Sequence, residues 1–339
     1  MNRTGTRALQ PSDRSAPPVS EHIDPAKTVG GQAVIEGVMM RAPTAWSVAV
    51  RQPDDTIVAR RNDLPRLSSR SKLARVPLIR GILVLGESLS LGFRALSWSA
   101  QKAAGEEEEP LTRWEIGSTM AIAFVIFAGL FILAPAAAAD LVSGENDLLF
   151  GVIEGVLRLV LFVGYVWLIG RSEEIGRVFE FHGAEHMSIY AYEAGEPLSI
   201  ESVRRYPPEH PRCGTSFLMI VVLGSILLFS FLGQHGWLFL VASRLLGIPL
   251  IAAASYELLR YSGTRGEDLL ARALAGPGLW LQKLTTRVPA DDQIEVAIAS
   301  LIVALDDDAF SEAISRGGVP DAAVEARRQV SVATTGEDV

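Results

Sequence analysis

A single cysteine, Cys213, stands in a chain of 339 residues, so no internal disulfide framework can form. Histidine is almost as scarce, with five. The charge balance is acidic, at −8 net, and gives no reason to expect a nucleic-acid partner, which needs clustered Lys and Arg. Residues 1–30 are polar and hold no apolar h-region, so a cleavable signal peptide is not expected. Lysine and arginine are missing altogether from two short stretches, residues 140–148 and 233–236. No internal repeat is present.

Apolar residues, by contrast, are abundant and gathered into blocks: 49% of the chain is hydrophobic. Spanning a bilayer takes about 20 mostly apolar residues. Residues 117–139, 149–170, 217–233 and 237–256 meet that length, the second despite Glu154 and Arg158, the fourth despite Arg244 and Pro249. Residues 73–98 hold Arg75, Arg80, Glu87 and Arg94 and read as an interfacial or re-entrant amphipathic helix, with a full span as the alternative. Arg171, Arg177, Arg204, Arg205 and Arg212 fill the loop between the second and third spans. The positive-inside rule then puts both termini and this loop in the cytoplasm, as expected for a bacterial inner-membrane protein. Glu154 and Arg158 sit one helical turn apart. They read as an i, i+4 ion pair on one helix or, functionally with Arg244, as a polar pathway or anionic-headgroup pocket between the second and fourth spans.

The expected fold is a mainly α integral membrane protein of about four transmembrane helices. A small N-terminal β-hairpin element and C-terminal amphipathic helices complete it. Its divisions are a disordered tail (1–27), a small β-containing cytoplasmic element (28–72), and an interfacial helix with an acidic linker (73–116). The first two spans (117–170), a cytoplasmic loop (171–216) and the last two spans (217–256) follow. Amphipathic helices (257–316) precede a disordered tail (317–339). Within the β element, alternation on both sides of P-D-D predicts a hairpin over 46–61, with 29–41 as a strand beside it. Residues 291–305 predict a capped amphipathic helix with acids in its first turn, and 277–284 a helix on the membrane surface.

The chemistry concentrates in the middle loop. R-S-E-E-I-G-R-V-F-E-F-H-G-A-E-H-M-S-I-Y-A-Y-E-A predicts a helix continuing the second span and ended by Gly195 and Pro197. On it His182, Glu185 and His186 share one face at i, i+3 and i+4. Two imidazoles one turn apart can reach one metal ion, and Gly183 leaves room for a ligand or another backbone. The order H-x-x-E-H is that of inverzincin peptidases, where the glutamate serves as general base on metal-bound water. The two histidines read otherwise as solvated or core residues of a surface helix. A second cluster, Y-P-P-E-H-P-R-C-G-T-S-F, brings His210 and Cys213 into a Pro- and Gly-rich turn. His182, His186, His210 and Cys213 together make a His₃Cys set suited to Zn2+ or another divalent metal. Glu257, in S-Y-E-L-L-R, is an alternative oxygen ligand. Cys213 also reads as a nucleophile with His210 or His186 as base, or as a small buried residue at a helix start.

G-G-Q-A-V-I-E-G-V-M-M-R, F-H-G-A-E-H, H-P-R-C-G-T-S-F, S-Y-E and P-G-L-W-L-Q-K-L-T-T-R together resemble the YqhQ family of bacterial membrane proteins, from about Thr28 to about Leu305. That family has no known function and is described as predicted metal-dependent enzymes. The resemblance implies a metal at His182, Glu185, His186, His210 and Cys213, and names no substrate.

Two functions follow as expectations. One is a membrane-bound hydrolase with Glu185 as catalytic base, acting at the cytoplasmic surface on a lipid-linked or membrane-embedded substrate. The other is a non-enzymatic scaffold or channel-like homo-oligomer with a structural His/Cys zinc site.

Overall fold

The computed structural model describes residues 28–64, 76–105, 113–144, 146–232, 236–264 and 269–336. The tail expected at 1–27, most of the acidic linker and the start of the 73–98 segment lie outside them. Two compact units account for the described residues, each with its own core.

The first unit is built on a four-stranded antiparallel meander, β1 (Gly30–Val34), β2 (Gly37–Arg41), β3 (Ala45–Arg51) and β4 (Ile57–Asp63), in sequence order. The segment 29–41, expected as one strand, is itself a hairpin. It folds back at Ile35 and Glu36, with Glu36 at φ 50° and Val34 facing Gly37 across the turn. The expected P-D-D hairpin is present as β3 and β4. Its turn is fixed by Asp54, whose carboxylate accepts from both the amide and hydroxyl of Thr56.

Against this sheet lies α10 (Asp291–Ala304), together with α6 (Ile200–Val203), α11 (Asp307–Ser315), α12 (Asp321–Gly336) and the larger part of α5 (Glu173–Glu193). Helix α10 was expected to be amphipathic. It is instead buried on nearly every side from Gln293 to Ala304, because only its first turn carries charge. Its one internal hydroxyl, Ser300, pairs with the buried Ser47 of β3 at 3.0 Å. The end of α10 leaves carbonyls without helical donors. Arg327 of α12 supplies them, donating to the oxygens of Ile302, Val303 and Leu305 at 2.8, 2.9 and 2.6 Å. The chain after Gly317, expected as a disordered tail, is therefore helical to Gly336. Ala323 and Ala326 are small enough to bury against the core.

The second unit is helical. It contains α1 (Ile79–Ala104), α2 (Arg113–Ala128), a π-turn (Gly129–Leu133), α3 (Ala134–Ser143), α4 (Asp147–Ile169), α7 (Gly214–Leu232), α8 (Trp237–Thr264) and α9 (Leu269–Thr285). Four stretches are long and apolar enough to cross a membrane: Gly117–Ser143, Asp147–Ile169, Gly214–Leu232 and Leu238–Arg260. They coincide with the four expected spans, and the protein is a mainly helical membrane protein. Helices α4 and α5 are not continuous; a turn at residues 170–172 separates them.

Ionic contacts join these spans. Glu154 accepts from Arg158 and from Arg244, both at 2.5 Å. Phe229 of α7 lies under both guanidiniums, 5.7 Å from that of Arg158 and 4.4 Å from that of Arg244. Arg158 also donates through Nε to the carbonyl of Phe131 at 3.0 Å. The reason is local: in an α-helix that carbonyl would await the amide four residues on, which is Pro135 and has no N–H. The π-turn and the arginine together satisfy a group that proline orphans. The expected i, i+4 pair of Glu154 and Arg158 is present, and Arg244 joins it from another helix.

Candidate metal centre

Helix α5 presents His182, Glu185 and His186 as the spacing predicts, with the two imidazole centroids 4.4 Å apart. Gly183 between them permits a close approach by backbone. A Cβ there would lie 2.0 Å from the carbonyl oxygen of Arg287 and 3.3 Å from Pro208 Cβ. Pro208 in turn orients His186: ring Nδ1 donates to its carbonyl at 2.6 Å. This leaves Nε2 as the deprotonated nitrogen, the form that binds a metal, with the partner that metal-bound histidines usually have.

His182 and His186 belong to the first unit and Cys213 to the second. Cys213 directly precedes α7, and its Sγ accepts from the amide of Thr215 at 3.5 Å.

The remaining predicted ligands are held otherwise. His210 is buried and its Nδ1 accepts from the amide of Arg212 at 3.3 Å. Its backbone is clamped by Gln282 of α9, which accepts from the His210 amide at 2.7 Å and donates to its carbonyl at 2.9 Å. Glu257 is engaged by Arg80 in a two-point ion pair.

Glu185 is buried, at 3% exposure, and accepts from the amide of Gly31 in β1. Its Oε2 is also buried, with no hydrogen-bond partner among the described residues. Burial pushes this carboxyl up to about 7, against the opposing pull of His182 and of the Gly31 amide. In metal-free protein the folded chain then keeps a proton that the unfolded chain releases above about pH 4.5. The group's contribution to stability therefore falls as pH rises towards 7. Thermal melts of metal-free Glu185→Gln between about pH 5 and 8 should show a flatter slope than wild type. An unchanged slope would contradict burial as the cause.

Sequence reasoning missed Gly31, Pro208 and Gln282. The one available signal was Gln282, a lone amide within the apolar run L-W-L-Q-K-L.

The fold defines a four-span helical membrane protein whose helix α5 carries two histidines side by side. The chain belongs to the family described as "Protein of unknown function (DUF1385)", which matches residues 76–307. It is 31% identical over 314 residues to "Uncharacterized protein YqhQ" of Bacillus subtilis (strain 168), covering 87% of this chain and 97% of that protein. No solved structure matches it.

Proposed function

We propose that the protein is a non-enzymatic membrane scaffold with a structural zinc ion held by His and Cys side chains, His182 and His186 among them. The two imidazoles on one face of α5, with centroids 4.4 Å apart, carry this reading. Two further features support it: the imidazole tautomer that Pro208 sets, and the engagement of Glu185 by β1. The Arg-rich loop favours the cytoplasmic face of the bacterial inner membrane for the site. Zinc in such a role belongs to the folded state, so chelation should destabilise the protein rather than merely empty it. Thermal unfolding of detergent-purified protein should shift to lower temperature with a zinc chelator and recover on re-addition of zinc. A metal that leaves with the transition unmoved would overturn the structural role.

One observation favours the hydrolytic reading as second: the buried carboxyl of Glu185, pushed up to about 7, shares the α5 face of His182 and His186. In that case zinc would supply an activated water, and Glu257 would stay outside its coordination sphere. The substrate would be lipid-linked or membrane-embedded. Glu185→Gln should then abolish hydrolysis with zinc retained; hydrolysis that survives removes Glu185 as base.

A further inference from the structure

Helix α1 carries three distinct stripes. Arg80, Glu87 and Arg94 recur every seventh residue and share one face. Gly81, Leu91, Ala95 and Ser99 are buried and lie along a second. Ile82, Leu89, Phe93 and Leu96, at i, i+7, i+11 and i+14, form a third, with exposures of 51, 66, 42 and 44%. A helix washed by water carries its polar residues on the exposed face. Here that face is apolar over most of the helix length.

The buried stripe shows what α1 is seated on. A Cβ on Gly81 would lie 2.8 Å from the carbonyl oxygen of Ala253 and 3.0 Å from its Cα. The backbone of α1 thus rests directly on α8, inside the candidate span Leu238–Arg260. Close approach through a glycine is how membrane helices pack without a hydrophobic driving force between them. Arg80 and Glu257 pair one turn nearer the end of that span. On α8 itself, Leu246 and Leu250 are exposed at 76 and 51%, so this candidate span also presents apolar side chains outward.

We infer that α1 is a fifth membrane-embedded helix, and that Ile82, Leu89, Phe93 and Leu96 face lipid acyl chains. Its charged stripe points away from them, and Arg94, exposed within that stripe, has the length to snorkel to headgroups. The occupant of the apolar face is the bilayer itself, not another protein. This holds whichever role the metal plays.

Wild-type protein in phosphatidylethanolamine–phosphatidylglycerol vesicles, doped with phosphatidylcholine carrying a diazirine on its acyl chain, tests this directly. After irradiation, peptide mass spectrometry should find lipid adducts on the exposed stripe of α1 at yields comparable to Val156 and Val160 of α4. Adducts on α4 without any on α1 would overturn the inference. So would labelling of α1 only by a headgroup diazirine, or crosslinks from α1 to a second copy of the chain in place of lipid adducts.

Discussion

Glu154→Gln should be the most damaging single substitution within the spans, costing about 3–5 kcal/mol of stability, the usual loss when a buried ion pair is broken on one side. The carboxylate is 1% exposed and is held by two guanidiniums, so its loss leaves both without a counter-charge. Those charges sit where neither water nor, on one side, any carboxylate can compensate. Arg158→Gln should cost less. It leaves the Glu154–Arg244 pair, whose charges cancel, although it also frees the Phe131 carbonyl that Pro135 cannot serve. Unfolding in mixed detergent micelles would give the order. If Glu154→Gln proves milder than Arg158→Gln, the carboxylate is not what holds the cluster together.

Gly183→Ala is expected to be the second large effect, for a steric reason. A methyl at 2.0 Å from the Arg287 carbonyl oxygen meets backbone, which cannot swing aside as a flexible side chain would. Alanine favours a helix over glycine by about 1 kcal/mol, but overpacking costs about 1–3 kcal/mol even where side chains can repack. Any movement of α5 that relieves the clash also disturbs the His186–Pro208 hydrogen bond. Lower stability and weaker metal binding should therefore appear together. Gly86→Ala in α1 is the matched control: a Cβ there meets nothing within 4 Å, and its effect should be neutral or stabilising. Equal losses at the two glycines would show that the clash is not the cause.

The four spans were legible because hydrocarbon thickness imposes one length on every crossing, and composition follows. The histidine–glutamate face was legible because i, i+3 and i+4 spacing fixes direction on a helix. Cys213 and His210 were singled out by scarcity and turn chemistry, but spacing could not reveal that Gln282, 72 residues from His210, pins its backbone. Helix α10 read as amphipathic from its acidic first turn, because sequence shows where charge is present and not how many neighbours cover the apolar remainder. The hairpin turn at Ile35–Glu36 carries no Gly, Asn or Asp at either position, so the usual turn signal was missing.

Metal content of the purified protein tests the central claim most directly, measured by mass spectrometry on wild type, His186→Ala, Cys213→Ser and His210→Ala. The account predicts near-stoichiometric zinc in wild type and its loss from His186→Ala, with Cys213→Ser and His210→Ala reporting which of the two residues completes the site. Folded wild-type protein without metal, or zinc kept without His186, would contradict it.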